Sequence, residues 1–218
     1  MIDAVMCDRW AGKPSFAALK AGTPPNTLVI KAVAKLGRTG QRALDIGAGS
    51  LRNSCYLLDR GFTVDAVDVD PVAVDLAAQL ANPRLRFIHD DITQVAIEPQ
   101  SYSLVVAIHV MQYLSRADIV SMIGAIRSGL TDDGILCCTI LGDRDGWADC
   151  RPLMTFLSAA DCRELFRGFH ILEFEEKEYS GFNVVGMPKH WHVFQCLMGN
   201  EHSDDREVIR IARRADRH

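Results

Sequence analysis

The chain has 218 residues, 48% apolar and 24% charged, with a formal net charge of -4 at pH 7, which fits one large α/β domain and leaves little room for a second. That charge gives no general attraction to phosphate backbones, so nucleic-acid binding has little support, and the longest apolar runs fall far short of the roughly 20 residues of a membrane span. Seven cysteines without a CxxC pair predict neither a disulfide framework nor a metal site, and the start MIDAVMCDRWAGK lacks the basic and apolar regions of a signal peptide, so a cytoplasmic protein is expected.

Along the chain, Pro24 and Pro25 precede an amphipathic helix carrying Val29, Ile30, Val33 and Leu36, which Gly37 stops. RALDI (42–46) then reads as a buried strand, and LRNSCYLLDRG (51–61) as a helix closed by Gly61. TVDAVDVD (63–70) is the next strand, with a helix from Pro71 to 81. LRFIHD (85–90) and SLVVAIH (103–109) are strands, 116–130 is a helix, and GILCCTIL (134–141) is another buried strand. After a helix at 158–168, FHILEFEEKEY and HWHVFQCLM follow with only a 180–189 link between them, so they should pair antiparallel. Strands apolar on both faces and separated by helices predict a mostly parallel sheet in a three-layer, doubly wound α/β domain. The division expected is a helical cap over residues 1–40, the main domain over 41–199, and an arginine-rich tail over 200–218.

In such sheets ligands bind outside the carboxyl ends of the strands. Asp45, Asp68 and Asp91 all fall there, and the loop from Gly47 to Gly49 leaves β-structure where backbone must approach a ligand closely. Asp68 lies near the spacing at which an acid reaches a ribose diol, while Asp70 is the candidate cap for the helix that Pro71 opens. A nicotinamide dinucleotide also suits the glycine pair, but the third glycine of GxGxxG is replaced by Arg52. An acid two residues ahead of the loop sits badly beside a pyrophosphate and well beside a cation. Adenine, ribose and an ammonium group without phosphate describe S-adenosylmethionine.

The run LDIGAGSLRNS, GFTVDAVDVDP, FIHDDI, YSLVVAIHVMQYL and LTDDGIL resembles the class I S-adenosylmethionine-dependent methyltransferases over about residues 40–198. Its texture is closest to the small bacterial methyltransferases of the tellurite-resistance type. The resemblance implies a sheet of order 3-2-1-4-5-7-6 with strand 7 antiparallel. It places Asp45, Gly47 and Gly49 around the methionine portion of the cofactor, Asp68 on the ribose and Val69 on the adenine face. Asp91 and the Ile92 backbone would recognise the adenine edge, and Ile108 and His109 would lie beneath the sulfonium. Where the family often has a third glycine, this chain has Leu51.

Arg52 is a candidate for the cofactor carboxylate, or an exposed helix arginine. His109 is the candidate general base, with simple packing the alternative; Trp10, Tyr113 and Trp147 are candidates to line the acceptor pocket. The activity expected is methyl transfer to a small-molecule nucleophile. A non-catalytic S-adenosylmethionine-binding module working through a protein partner would need the same cofactor residues.

Overall fold

The β1 strand, Arg42–Ile46, is apolar on both sides of its acid, and the chain buries it by placing a strand against each edge. The computed structural model describes residues 15–148 and 154–200; Trp10 and the arginine-rich tail lie outside them. After a short helix α1 (Phe16–Lys20) come α2 (Thr27–Leu36), β1, α3 (Arg52–Asp59), β2 (Thr63–Asp68), α4 (Pro71–Leu80), β3 (Leu85–His89) and β4 (Tyr102–Ala107). A 3₁₀ turn (Met111–Tyr113), α5 (Arg116–Gly129), β5 (Leu130–Leu141), α6 (Ala159–Leu165), β6 (Phe169–Phe182) and β7 (Pro188–Asn200) complete them. The seven strands form one sheet in the order β3-β2-β1-β4-β5-β7-β6, parallel except for β7, which is antiparallel to both neighbours. No helix among the described residues is long and apolar enough to cross a membrane.

Alternation along each strand divides the core in two. Ala43, Leu104 and Val106 meet α2 and α3 on one face, whereas Leu44, Val105 and Leu136 meet α5 on the other. Leu28, Val29, Ala32 and Val33 are buried in the first of these layers, so the segment expected to belong to a cap contributes a core helix. Gly37 ends α2 in the left-handed conformation, and Asp70 caps α4 by accepting from Val72 N–H at 2.9 Å, both as the pattern predicts.

Two boundaries differ. β5 begins at Leu130 rather than 134, with a register irregularity opposite Tyr102 and Leu104. The last two strands run through most of the expected link, leaving only residues 183–187 to turn. There Asn183 Oδ1 accepts from Val185 N–H (3.1 Å) and Met187 N–H (2.9 Å), which closes the turn.

At the amino ends of the strands, Asp65 is 2% exposed and receives Arg42 Nε and Nη2, at 3.0 and 2.7 Å, and Tyr102 Oη at 2.7 Å. Arg86 Nε stands 3.2 Å from its other oxygen. This cluster ties β1, β2, β3 and β4 together at the end opposite the glycine loop. Replacing Asp65 by alanine strands these donors, and should lower unfolding stability by about 3 kcal/mol, the low end for a broken buried pair because Arg42 keeps contact with water. Urea denaturation measures this, with cofactor affinity expected to hold.

Candidate active site

The chain leaves β1 through a loop stitched to the end of β2. Gly47 N–H and Ala48 N–H both donate to Val67 O, at 2.9 and 3.0 Å, and Gly49 N–H donates to Asp68 Oδ2 at 2.7 Å. Gly47 has φ +67°, and a Cβ there would come within 2.6 Å of Val110 Cγ2, so a side chain is excluded both sterically and conformationally. Leu51 takes φ +58° too. Holding a leucine there costs about 1–2 kcal/mol, and its burial in the α2–α3 layer offsets that cost.

The three acids have three environments. Asp45 is 1% exposed and accepts from Ser54 Oγ at 2.6 Å. Burial pushes its pKa up to about 7 against the Ser54 hydrogen bond, with the Asp68 charge adding to the rise. Asp68 is half-buried at the crevice; besides Gly49 N–H it accepts from Asp70 N–H at 2.8 Å through Oδ1. Each oxygen retains a second lone pair for a hydroxyl. Asp91 is exposed, and both Thr93 N–H and Thr93 Oγ1 donate to its Oδ1 at 2.8 Å, which keeps its pKa below the ordinary value.

Beside Asp68, Val69 is 59% exposed, a bare apolar surface at the strand end. Ile92 instead turns its side chain inward, lining a small cavity with Leu44, Ile46, Val67, Val95 and Ile97, and Ile108 is buried in the core. These two have only backbone to offer a ligand.

His109 closes β4 in a left-handed conformation, φ +55°. Its N–H donates to Thr139 Oγ1 at 2.8 Å and its C=O accepts from Gln112 Nε2 at 2.7 Å, so neighbours on both sides hold the strained backbone. Burial, then the Arg52 and Lys189 charges, push the imidazole pKa down to about 4. The ring is neutral at pH 7 and able to accept a hydrogen bond, but a general base at that pH works best with a pKa nearer 7. Arg52 is partly buried and reaches Pro24 O at 3.3 Å, joining the segment ahead of α2 to the crevice rim. Its pKa is lowered by burial while the Asp45 charge raises it.

Tyr113 and Trp147 are half-buried and pack against one small cluster that includes Leu141, Val193 and Trp191. Trp191, which the sequence reading passed over, lies 5.9 Å from His109 between ring centroids and 5.8 Å from Trp147. The signal for it was the alternation of Lys189, Trp191 and Val193 on one face of β7. His190 and His192, on the other face, lie against Glu178 (3.0 Å) and Glu176 (2.9 Å).

Residues 43–134 match the family model for a methyltransferase domain. The matched segment, under half of the chain, runs from β1 into β5 and includes Asp45, Asp68 and Asp91. The solved structures with the same fold include TehB from Haemophilus influenzae (19% identity, TM-score 0.69), with 82% of this chain and 63% of that one covered. The 1,6-didemethyltoxoflavin N1-methyltransferase of Burkholderia thailandensis, solved with 1,6-didemethyltoxoflavin and S-adenosylhomocysteine, is also similar (18%, TM-score 0.59; 78% and 77% covered). So is the N-methyltransferase NodS of Bradyrhizobium japonicum (16%, TM-score 0.63; 81% and 93% covered). No curated protein matches the chain in sequence. The methyl donor of this domain family is S-adenosylmethionine.

Asp45 gives the folded chain a pH signature. Its folded pKa lies above its unfolded one, so its contribution to stability is full below about pH 4 and is lost as pH rises through about 7. Thermal melts of the ligand-free protein from about pH 5 to about pH 8 should show that loss, and Asp45→Asn should flatten it.

Proposed function

We propose that the protein transfers the methyl group of S-adenosylmethionine to a small-molecule nucleophile by in-line displacement. The observation that carries this reading is the Asp68 carboxylate, pinned by Gly49 N–H on one oxygen and flanked by the bare Val69 side chain. Together they suit a ribose diol and an adenine face, and Asp45, two residues ahead of the loop, suits a cation better than the phosphate of a dinucleotide. The cofactor, when bound, supplies a methyl group already activated by the sulfonium charge. The chain's residues therefore have to bind, orient and exclude water.

In this reading Asp68 holds the ribose, Val69 lies on the adenine, and Asp91 with the Ile92 backbone meets the adenine edge. Gly47 and Gly49 admit the methionine portion, Asp45 faces its ammonium group, and Arg52 takes its carboxylate. Ile108 and His109 form the floor beneath the reacting sulfur, with Tyr113 and Trp147 beside the acceptor. Orientation supplies on the order of 7–11 kcal/mol, against about 3–5 kcal/mol for a general base, so the modest basicity of His109 is compatible with turnover.

Replacing Asp68 by alanine removes charge-assisted hydrogen bonds and should weaken S-adenosylmethionine binding by roughly 1.5–3 kcal/mol, measured by calorimetry. Unchanged affinity would take Asp68 out of the site. Accumulation of S-adenosylhomocysteine in the presence of small thiols, amines or phenols separates an enzyme from a binding module.

A further inference from the structure

The last rung between β2 and β3 sets Asp68 against His89, and both strands end there. Just past that rung, Val69 O takes its hydrogen bond from a side chain: His89 Nε2 stands 3.0 Å away. A carbonyl oxygen can only accept, so the nitrogen that faces it carries a proton, in the neutral Nε2–H tautomer or in the cation. β3 is an edge strand and His89 is exposed, so core packing does not account for where the ring points.

The two chain segments that leave this rung are each shaped by their own short-range bonds. After β2, Asp68 Oδ1 accepts from Asp70 N–H and Asp70 Oδ1 from Val72 N–H, at 2.8 and 2.9 Å. After β3, Asp90 Oδ1 accepts from Asp91 N–H at 2.7 Å, and Asp91 Oδ1 from Thr93 N–H and Oγ1. His89 ties Val69 to the strand from which Asp91 follows two residues later. Asp68 needs no such tie, because Gly49 N–H and Asp70 N–H already hold its two oxygens. Val69, a bare apolar side chain at the strand end, has its carbonyl fixed by His89.

We infer that His89 is a positioning residue for the adenine end of the cofactor: it holds Val69 as the platform for the base and fixes that platform relative to the acid at the base's edge. The inference rests on the methyltransferase reading and adds to it a residue that acts on the base only through Val69. In the free protein an exposed bond of this kind competes with water and adds little to folding. A base lying on Val69 takes water away from one side of the bond, and a hydrogen bond in drier surroundings is stronger. The bond tightens on binding, so its worth appears as affinity and hardly at all as stability. The ribose, held by Asp68, is indifferent to it.

Calorimetry with S-adenosylhomocysteine is the test. His89→Leu should weaken binding about fivefold, the scale of one net hydrogen bond, and leave the melting temperature of the ligand-free protein unchanged. His89→Gln, whose terminal amide carries a donor to the same reach, should recover most of the loss. In a Val69→Ala background, where the platform is already cut back, His89→Leu should cost under about twofold, because the two residues act as one unit. Isotope-edited NMR of the histidine rings in wild type reads the bond without any substitution: bound S-adenosylhomocysteine should slow exchange of the His89 Nε2 proton with water. Wild-type affinity in His89→Leu, the full loss persisting in the Val69→Ala background, or no slowing of the Nε2 proton overturns this inference alone. So does a loss that comes with a lowered melting temperature and that glutamine does not restore, which is the mark of a merely structural residue. Failure of wild type to bind S-adenosylhomocysteine overturns the methyltransferase reading instead.

Discussion

The bond from Gly49 N–H to the Asp68 carboxylate, 2.7 Å long, is the constraint from which the rest of the crevice follows. Ile46 is level with Val67 across the parallel pair β1–β2, so the two strands end together. The chain then has to leave β1 without covering the end of β2. It does so by turning Gly47 and Ala48 back onto Val67 O and setting Gly49 on the acid itself. A main-chain segment held this way orients Asp68 before any ligand arrives. That is preorganisation of the kind that lowers the cost of binding.

Two of the four left-handed non-glycine residues among those described stand at the same edge. Leu51 and His109 are both left-handed without being glycine, and both follow strands that end at the crevice. Each is over-determined by its surroundings: Leu51 by burial, His109 by bonds from Thr139 and Gln112. A residue with φ near +55° turns the chain sharply at the end of β4 and leaves the imidazole half-buried, next to Trp191. The left-handed backbone thus places a side chain where an unstrained strand end would carry it elsewhere.

Much of this was legible in the residues. Strands such as LVVA, apolar on both faces, announce a covered parallel sheet, and the alternation of helices and strands orders them. Pro71 behind Asp70 marks a helix start by a local rule, and the structure obeys it. The acids at strand ends were found by the topology of open α/β sheets, without tertiary information. What escaped was set by contacts between distant residues. Ser54 meets Asp45 only after α3 folds back, and the Lys189–Asp145 pair joins positions 44 residues apart. The hairpin was under-read for a local reason. Gly181 and Pro188 are turn residues by propensity, yet they pair with Lys189 and Phe182 at the far end of the ladder, where an edge position tolerates both. The low pKa of His109 likewise depends on burial and then on Arg52 and Lys189, which no spacing rule connects to it.

The site and the sheet therefore divide the labour by end. Asp65 and its arginines hold the amino ends of the central strands, while the carboxyl ends carry a pinned acid, a bare valine and a strained histidine. A crystal structure of the protein grown with S-adenosylhomocysteine tests that division most directly. The account predicts ribose hydroxyls on the two oxygens of Asp68, adenine against Val69, and the amino-acid end over Gly47–Gly49. Density for the compound elsewhere on the protein, or Asp68 turned away from it, would contradict the account.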